Sequence, residues 1–550
     1  MEAIKQAIAA AVKELFNIEI EPELTRPDEQ FGDYATNVAL QLAGKLDKNP
    51  REIATALVEK ISSADIAKID IAGPGFINVY LTDQTFIDML HRGPGQPYKN
   101  KVIVAEYSDP NPFKVLHAGH LYTSVVGDAI ANLLESAGGE VHRVNFGGDV
   151  GRHVAITMRS ILQTLGGELP EKLDEIPETE RATWLSERYV EGTHSFETDD
   201  QAKQEVTLLN KRIYRLQNDK DHESAFARIY WTTRQWSYDY FDQFYERIGT
   251  KFEKYYPESE TTPTGMAKAE ALKAEGVLVE SDGAVVFRGE EHGLHTRVFI
   301  TSEGLPTYET KDLGLILRKW EDYHFNQSVV ITGNDIVEYM KVVLKVVEHF
   351  QPELATNTAH ISHGIVKLAG GVKMSSRKGN ILRAVDVLTA ADAANEKATG
   401  KKDDQVVLGA VKYAFLKQRT GGDIIYDPEE SVSLQGNSGP YLQYAHARAR
   451  SILKKGNPTY ERAEFETDER SLIRKISEYP EIVENAVNEL MPHHICTYLY
   501  ELSQNFNRFY ENNRVIGDPR ENIRLNLVQA YAETLKKGLT LLGISAPETM

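Results

Sequence analysis

The chain has 550 residues, 41% hydrophobic and 26% charged, which at about 150 residues per domain predicts three or four globular domains and excludes fibrous or wholly disordered classes. With 62 Lys and Arg against 81 Asp and Glu its net charge is −19, so it is not basic overall, although a local basic face could still meet RNA. A single cysteine, Cys496, excludes an internal disulfide framework and any zinc site built on several thiolates.

Residues 2–16 carry a helical apolar pattern, and a second helix is predicted near Tyr34–Leu46. A third starts at Asn49-Pro50-Arg51-Glu52, a cap residue with proline at the first helical position. Gly75–Leu81 reads as a strand, and Arg92-Gly93-Pro94-Gly95-Gln96-Pro97 as a linker. Val102-Ile103-Val104-Ala105 suits a buried parallel strand. Apolar residues at Leu121, Val125, Val126, Ile130, Leu133 and Leu134 then form a helical stripe, stopped by Gly138-Gly139. Val141–Phe146 follows as a strand, completing a βαβ unit that opens a nucleotide-binding sheet. Residues 165–182 are acidic and proline-interrupted, as in a surface insertion. Strand-like runs recur at Arg297–Thr301 and Ser328–Thr332, and from Leu434 to Met550 the pattern is helical. The start of the chain shows no signal-peptide apolar core, and no run reaches the about 18 apolar residues of a membrane span. The expectation is a cytoplasmic α/β protein without membrane contact, divided as 1–95 (α+β), 96–433 (Rossmann-type parallel sheet) and 434–550 (all-α).

Two strings carry chemistry. His117-Ala118-Gly119-His120 stands between the strand and helix of the βαβ unit, where a helix N-terminus offers backbone N–H groups to phosphate. Composition gives about 0.03 such strings by chance, so context decides their meaning. Lys373-Met374-Ser375-Ser376-Arg377-Lys378-Gly379-Asn380 is a loop whose cations can stabilise charge on departing pyrophosphate. His292-Gly293-Leu294-His295 lacks a partner cluster and predicts no metal site.

Together the two strings resemble the signatures of class I aminoacyl-tRNA synthetases. Within that class, Glu106-Tyr107-Ser108-Asp109-Pro110-Asn111-Pro112-Phe113-Lys114, the segment Gly436–Arg448 and the ending Leu542–Met550 resemble the arginyl-tRNA synthetase family. The resemblance implies ATP, arginine and tRNA(Arg) as substrates, Mg²⁺ with the ATP, a monomer, tRNA completing the site for arginine activation, and an anticodon-binding role for the helical third. It places His117, Gly119, His120, Lys373, Met374, Ser375 and Ser376 at ATP. Lys114 matches a lysine that acts on ATP phosphates; Ser376 stands where the second lysine of the usual Lys-Met-Ser-Lys loop would be. Lys114, Arg377 and Lys378 are the cations left to compensate.

A guanidinium wants a carboxylate beside a flat aromatic surface. Tyr308 and Asp312, four residues apart on a predicted helix, supply both on one face, and match residues that hold arginine in the family. Glu106, Asn111 and His117 match positions for the polar groups of the amino acid. Gly333-Asn334-Asp335-Ile336 lacks the glutamine of many members, leaving Asn334 or Asp335 to contribute. Tyr441, Tyr444 and Arg448 form one helical stripe, fit either for stacking on bases or for the core. By resemblance they meet the anticodon loop, as does Met550, while Phe76 and Asn78 meet the D-loop. Two other readings stay open: a same-fold adenylate-forming enzyme acting on a small molecule, and an inactive RNA-binding relative.

Overall fold

The computed structural model describes residues 1–369, 382–456, 458 and 464–550. Lys373, Met374, Ser375, Ser376, Arg377 and Lys378 lie outside the described residues.

The N-terminal unit begins with α1 (Glu2–Phe16), which buries Ile4, Ile8, Ala11 and Val12 on one face. The predicted helix at Tyr34–Leu46 is corrected. Tyr34–Thr36 is a strand, β1, and only Val38–Leu46 is helical, α2. The reason is non-local: Tyr34, Ala35 and Thr36 pair with Val79, Asn78 and Ile77, and all three are buried. α3 (Pro50–Lys60) starts as predicted, with the Asn49 side chain accepting from the Arg51 N–H at 2.8 Å. β2 (Ile66–Ala72) and β3 (Phe76–Leu81) complete an antiparallel sheet in the order β1-β3-β2, followed by α4 (Asp83–Leu90).

The middle of the chain builds β4 (Val102–Glu106), α5 (Ala118–Ser136) and β5 (Glu140–Gly147), the predicted βαβ unit. A helical layer follows: α6 (Arg152–Leu165), α7 (Arg181–Thr198), α8 (Asp200–Asp219) and α9 (Ala225–Ile248). The acidic stretch expected as an insertion forms short 3-10 turns within it. Next come β6 (Lys254–Pro257), α10 (Glu258–Ala274), and a separate antiparallel sheet of β7 (Val279–Ser281), β8 (Ala284–Phe287) and β9 (Arg297–Ile300). α11 (Tyr308–Tyr323), β10 (Gln327–Gly333), α12 (Val337–Phe350), α13 (Pro352–Thr356) and β11 (Thr358–His363) return the chain to the main sheet. Among the described residues that sheet has five parallel strands in the order β11-β10-β4-β5-β6. The order reverses beside β4, and in open α/β sheets ligands bind at such a switch, outside the carboxyl ends of the strands.

β12 (Val366–Leu368), α14 (Ala384–Thr399), α15 (Asp404–Leu416), β13 (Ile424–Tyr426) and α16 (Pro428–Ser431) lead into the helical third. That third comprises α17 (Gly439–Leu453), α18 (Thr467–Ser477), α19 (Tyr479–Glu489), α20 (His493–Asn512) and α21 (Glu521–Leu541). The N-terminal unit docks on it through charged contacts. Arg26 forks onto Glu481 at 2.8 and 2.9 Å, and Arg470 reaches Asp83 at 2.5 Å and Asp33 at 2.8 Å. Among the described residues no helix is long and apolar enough to cross a membrane.

One close approach sets the position of α11. A Cβ at Gly265 in α10 would lie 1.9 Å from the Thr310 carbonyl oxygen, and one at Gly314 in α11 would lie 2.1 Å from that of Thr261. Both obstacles are backbone, so alanine at either position forces the helices apart. Gly314→Ala is expected to cost about 1–3 kcal/mol of stability, and thermal or denaturant unfolding measures it; an unchanged midpoint would show that the helices separate freely.

Candidate active site

β4 ends at Glu106, and the loop to α5 holds three non-glycine residues at positive φ: Ser108 (77°), Asp109 (49°) and Phe113 (69°). Such strain persists only where the surroundings impose it. Here each turn is fastened. Ser108 Oγ lies 2.7 Å from the Tyr245 hydroxyl, and Asp109 accepts from the Phe146 N–H at 2.8 Å. Asn111 accepts from the Gly148 N–H at 3.1 Å, and the Phe113 N–H donates to Ser237 Oγ at 2.9 Å.

The loop delivers His117 as the N-cap of α5. His117 Nδ1 accepts from the His120 N–H at 3.3 Å, and His120 Nδ1 accepts from the His117 N–H at 3.1 Å. The two rings stack with centroids 3.7 Å apart. Because both Nδ1 atoms accept, each neutral ring carries its proton on Nε2. Burial, and after it the charge of Lys114, holds His117 down to about 4; His120 is held well below its usual value by burial, then by His117 and Lys114. At neutral pH the pair is therefore two uncharged N–H donors. A Cβ on Gly119 would stand 2.8 Å from the His117 ring, so the glycine is what lets that ring fold back.

These residues edge a cleft of about 1040 Å³ at the carboxyl ends of the strands, with Glu106, Asn111, Gly119, Tyr308 and Asp312 also in its wall. Asp312 follows Tyr308 by one turn of α11, as predicted. The Tyr308 ring is 58% exposed, whereas Asp312 is only 8% exposed. Among the described residues Asp312 has neither an ion pair nor a hydrogen bond. The neighbouring charges are already matched. Lys319 binds Glu106 and donates to Ser328 Oγ at 3.2 Å, while Lys311 binds Glu258 at 2.5 Å. Burial, then Glu106 and Glu258, raises the Asp312 carboxyl well above the usual carboxylate range. Burial and Glu106 do the same to Asp109.

Lys114 stacks its ammonium on Tyr189, 4.4 Å from the ring centroid. Asn334 and Asp335 stand in the cleft wall, Asn334 donating to the Gly421 carbonyl at 3.0 Å. Phe76 and Asn78 border a separate hollow of about 490 Å³ in the N-terminal unit, beside the exposed Phe31. Tyr444 is exposed rather than part of the core. Tyr441 accepts from Asn507 Nδ2 at 2.8 Å, and the Arg448 guanidinium lies 4.5 Å from the Tyr510 ring centroid. Met550 ends a tail pinned by an Arg450–Glu548 ion pair at 2.6 Å, and is exposed. His292 stacks against Phe287, and no cluster suited to a metal ion is found among the described residues.

Sequence reasoning missed Lys311, Lys319, Glu258, Asp109, Asn507 and Tyr510. A signal for one existed: Lys319 stands seven residues after Asp312, on the same helical face.

A parallel sheet with a His-x-Gly-His helix start at its switch point is the frame of a class I aminoacyl-tRNA synthetase. The family model described as "tRNA synthetases class I (R), catalytic domain" matches residues 88–427. The arginyl-tRNA synthetase N-terminal domain matches 2–81, and the DALR anticodon-binding domain 442–550. The arginine–tRNA ligase of Synechococcus sp. is 31% identical over 563 residues, covering 95% of this chain and 94% of the relative. That of Porphyromonas gingivalis is 28% identical over the whole of both chains. The solved arginyl-tRNA synthetase of Thermus thermophilus superposes with a TM-score of 0.80 at 26% identity, covering both chains in full. The chain belongs to the arginyl-tRNA synthetase family, and the two other readings of the sequence give way to it.

The unpaired carboxylate predicts a stability effect. A carboxyl raised on folding favours the folded state below its ordinary value of 3.8 and loses that contribution as pH rises through the raised value. Asp312→Asn, which keeps the neutral shape, is therefore expected to raise the ligand-free Tm at about pH 7, with the gap closing toward about pH 4. A variant that melts lower at neutral pH would mean that Asp312 has a partner in solution.

Proposed function

We propose that the cleft joins arginine to ATP and then to tRNA(Arg), with the guanidinium on Asp312 and Tyr308. The observation that carries this reading is the buried carboxylate without a partner, one helical turn from an exposed aromatic ring. The wall is acidic: Glu106, Glu258, Glu309 and Asp423 pair with Lys319, Lys311, Arg297 and Lys367, while Asp109, Asp312 and Asp335 have no ion pair among the described residues. Arginine brings two cationic groups, a guanidinium and an α-ammonium, to this acidic wall. Glu106 and Asn111 are assigned to the polar groups of the amino acid, with Asn334 or Asp335 in place of the absent glutamine.

In the first step a carboxylate oxygen of arginine attacks the α-phosphorus of ATP. The bond to the β-phosphate breaks, giving arginyl-adenylate and pyrophosphate. The Nε2–H groups of His117 and His120 are poised to donate to phosphate oxygens without adding charge, and Gly119 admits the nucleotide to the helix start. Lys114 supplies the positive charge; Lys373, Arg377 and Lys378, with Met374, Ser375 and Ser376, are assigned to the ATP side by resemblance. Mg²⁺ travels with the triphosphate. In the second step a hydroxyl of the tRNA's terminal ribose attacks the acyl carbon, AMP leaves, and the hydroxyl proton is released. Positioning and charge perform this chemistry; no covalent nucleophile is needed.

The division at residues 95 and 433 assigns Phe76 and Asn78 to the tRNA D-loop, and Tyr441, Tyr444, Arg448 and Met550 to the anticodon loop. The working unit is taken as a monomer.

Pyrophosphate exchange tests the reading. Exchange is expected with arginine alone among the standard amino acids, and only when tRNA is added. Full-rate exchange without tRNA would remove that dependence. Asp312→Asn is expected to raise the arginine KM by on the order of 10²-fold, corresponding to about 3 kcal/mol for an orphaned buried charge, and to leave the ATP KM in place. An unchanged arginine KM would put the guanidinium elsewhere.

A second measurement concerns the helical third. Tyr444→Ala is expected to lower kcat/KM for tRNA by about 1–3 kcal/mol, one base stack, with no change in Tm because the ring is exposed. A lowered Tm with intact tRNA kinetics would return Tyr444 to a purely structural part.

A further inference from the structure

Among the described residues Lys114 forms no ion pair and no hydrogen bond; its ammonium rests on the face of Tyr189, 4.4 Å from the centroid. The contact is built from both sides. On one side, the residue before the lysine is anchored in the helical layer: the Phe113 N–H donates to Ser237 of α9, and the Phe113 ring lies 5.7 Å from that of Tyr230. On the other, α7 carries Tyr189 and is tied to α6, since Ser160 Oγ donates to Glu191 at 3.1 Å. α6 in turn starts shortly after β5, where Phe146 and Gly148 border the cleft. One layer therefore fixes both the root of Lys114 and the surface on which its tip lies.

The choice of partner has a chemical consequence. A carboxylate would neutralise the ammonium before it met a phosphate. An aromatic face holds it through the ring quadrupole and leaves the full charge in place. The ammonium is also near the signature histidines, whose ionisation it opposes.

We propose that Tyr189 is a positioning residue for adenylate formation: its ring seats Lys114 at the cleft with its charge available to ATP phosphate. This rests on the reading of Lys114 as the cation that acts on those phosphates. The chemical demand on Tyr189 is a π face, not a hydroxyl.

Three variants test it by arginine-dependent ATP–pyrophosphate exchange, with tRNA present. Lys114→Ala is expected to lose about 10²-fold or more in kcat. Tyr189→Leu is expected to lose on the order of 10-fold in kcat, since a misplacement of about 1 Å can cost 10²-fold, with the arginine KM and Tm unchanged. Tyr189→Phe is expected to restore the wild-type rate, and Tyr189→Leu to add nothing in the Lys114→Ala background. If leucine lowers Tm, Tyr189→Gln takes its place under the same criteria. A wild-type rate for Tyr189→Leu beside a deficient Lys114→Ala overturns the positioning role alone. Equal losses with phenylalanine and leucine, or full additivity with Lys114→Ala, overturn it too. Full activity of Lys114→Ala instead overturns the reading of Lys114 beneath it.

Discussion

The acidic end of the cleft depends on one constraint: folding leaves Asp312 buried without a cation. Burying a charge is costly unless it is paired, and two lysines lie within reach on the same helix. Both are already engaged, Lys311 with Glu258 and Lys319 with Glu106. The lysines thus stabilise the wall without filling the vacancy. Burial and the neighbouring carboxylates raise the carboxyl's affinity for its proton, and on the proposed reading a guanidinium entering from the cleft lowers it. On that reading, stability is given up here for recognition, a usual trade at a binding site. The geometry survives because the α10–α11 crossing is too close for any side chain at Gly265 or Gly314, so the face bearing Tyr308 and Asp312 cannot roll away from the sheet.

At the other end of the cleft the chain solves the opposite problem. On the proposed reading phosphate needs donors here, yet two charged imidazoles in contact would repel each other and disrupt the helix start. The reciprocal bonds between His117 and His120 cap α5 and at the same time fix both tautomers. The interaction that begins the helix is the one that leaves two neutral Nε2–H groups beside the cleft. Positive charge enters separately, on Lys114, whose loop is held by strained but fully fastened turns.

What could be read in the sequence was what local chemistry decides. The cap at Asn49, the apolar run of β4, the stripe of α5 and the shared face of Tyr308 and Asp312 all follow from neighbours within a turn or two. β1 escaped because Tyr34–Thr36 becomes a strand only by pairing with residues more than 40 positions away. The partners of the buried lysines escaped for the same reason: Lys311 meets a carboxylate 53 residues distant, and Lys319 one 213 residues distant. Periodicity shows that a charge will be buried, but not what will neutralise it. The contact between Lys114 and Tyr189 was hidden likewise, since it needs two helices of one layer to be packed before it exists.

The net charge of −19 sharpens the question of how such a chain handles polyanions. Among the described residues many of its cations are placed beside carboxylates, where they contribute little to a distant phosphate. Arg26, Arg470 and Arg524 are of this kind, and they join or brace the units. Lys114 and Arg448 are placed differently. One lies on Tyr189 and the other on Tyr510, and among the described residues neither has an acidic partner. In a strongly acidic protein, an aromatic seat keeps a cation ordered and still free to meet an anion. On the proposed reading the same physical device serves a triphosphate in the cleft and, at the anticodon surface, a nucleic acid backbone. Overall charge therefore says little about RNA binding here; what matters is which cations the fold withholds from its own carboxylates.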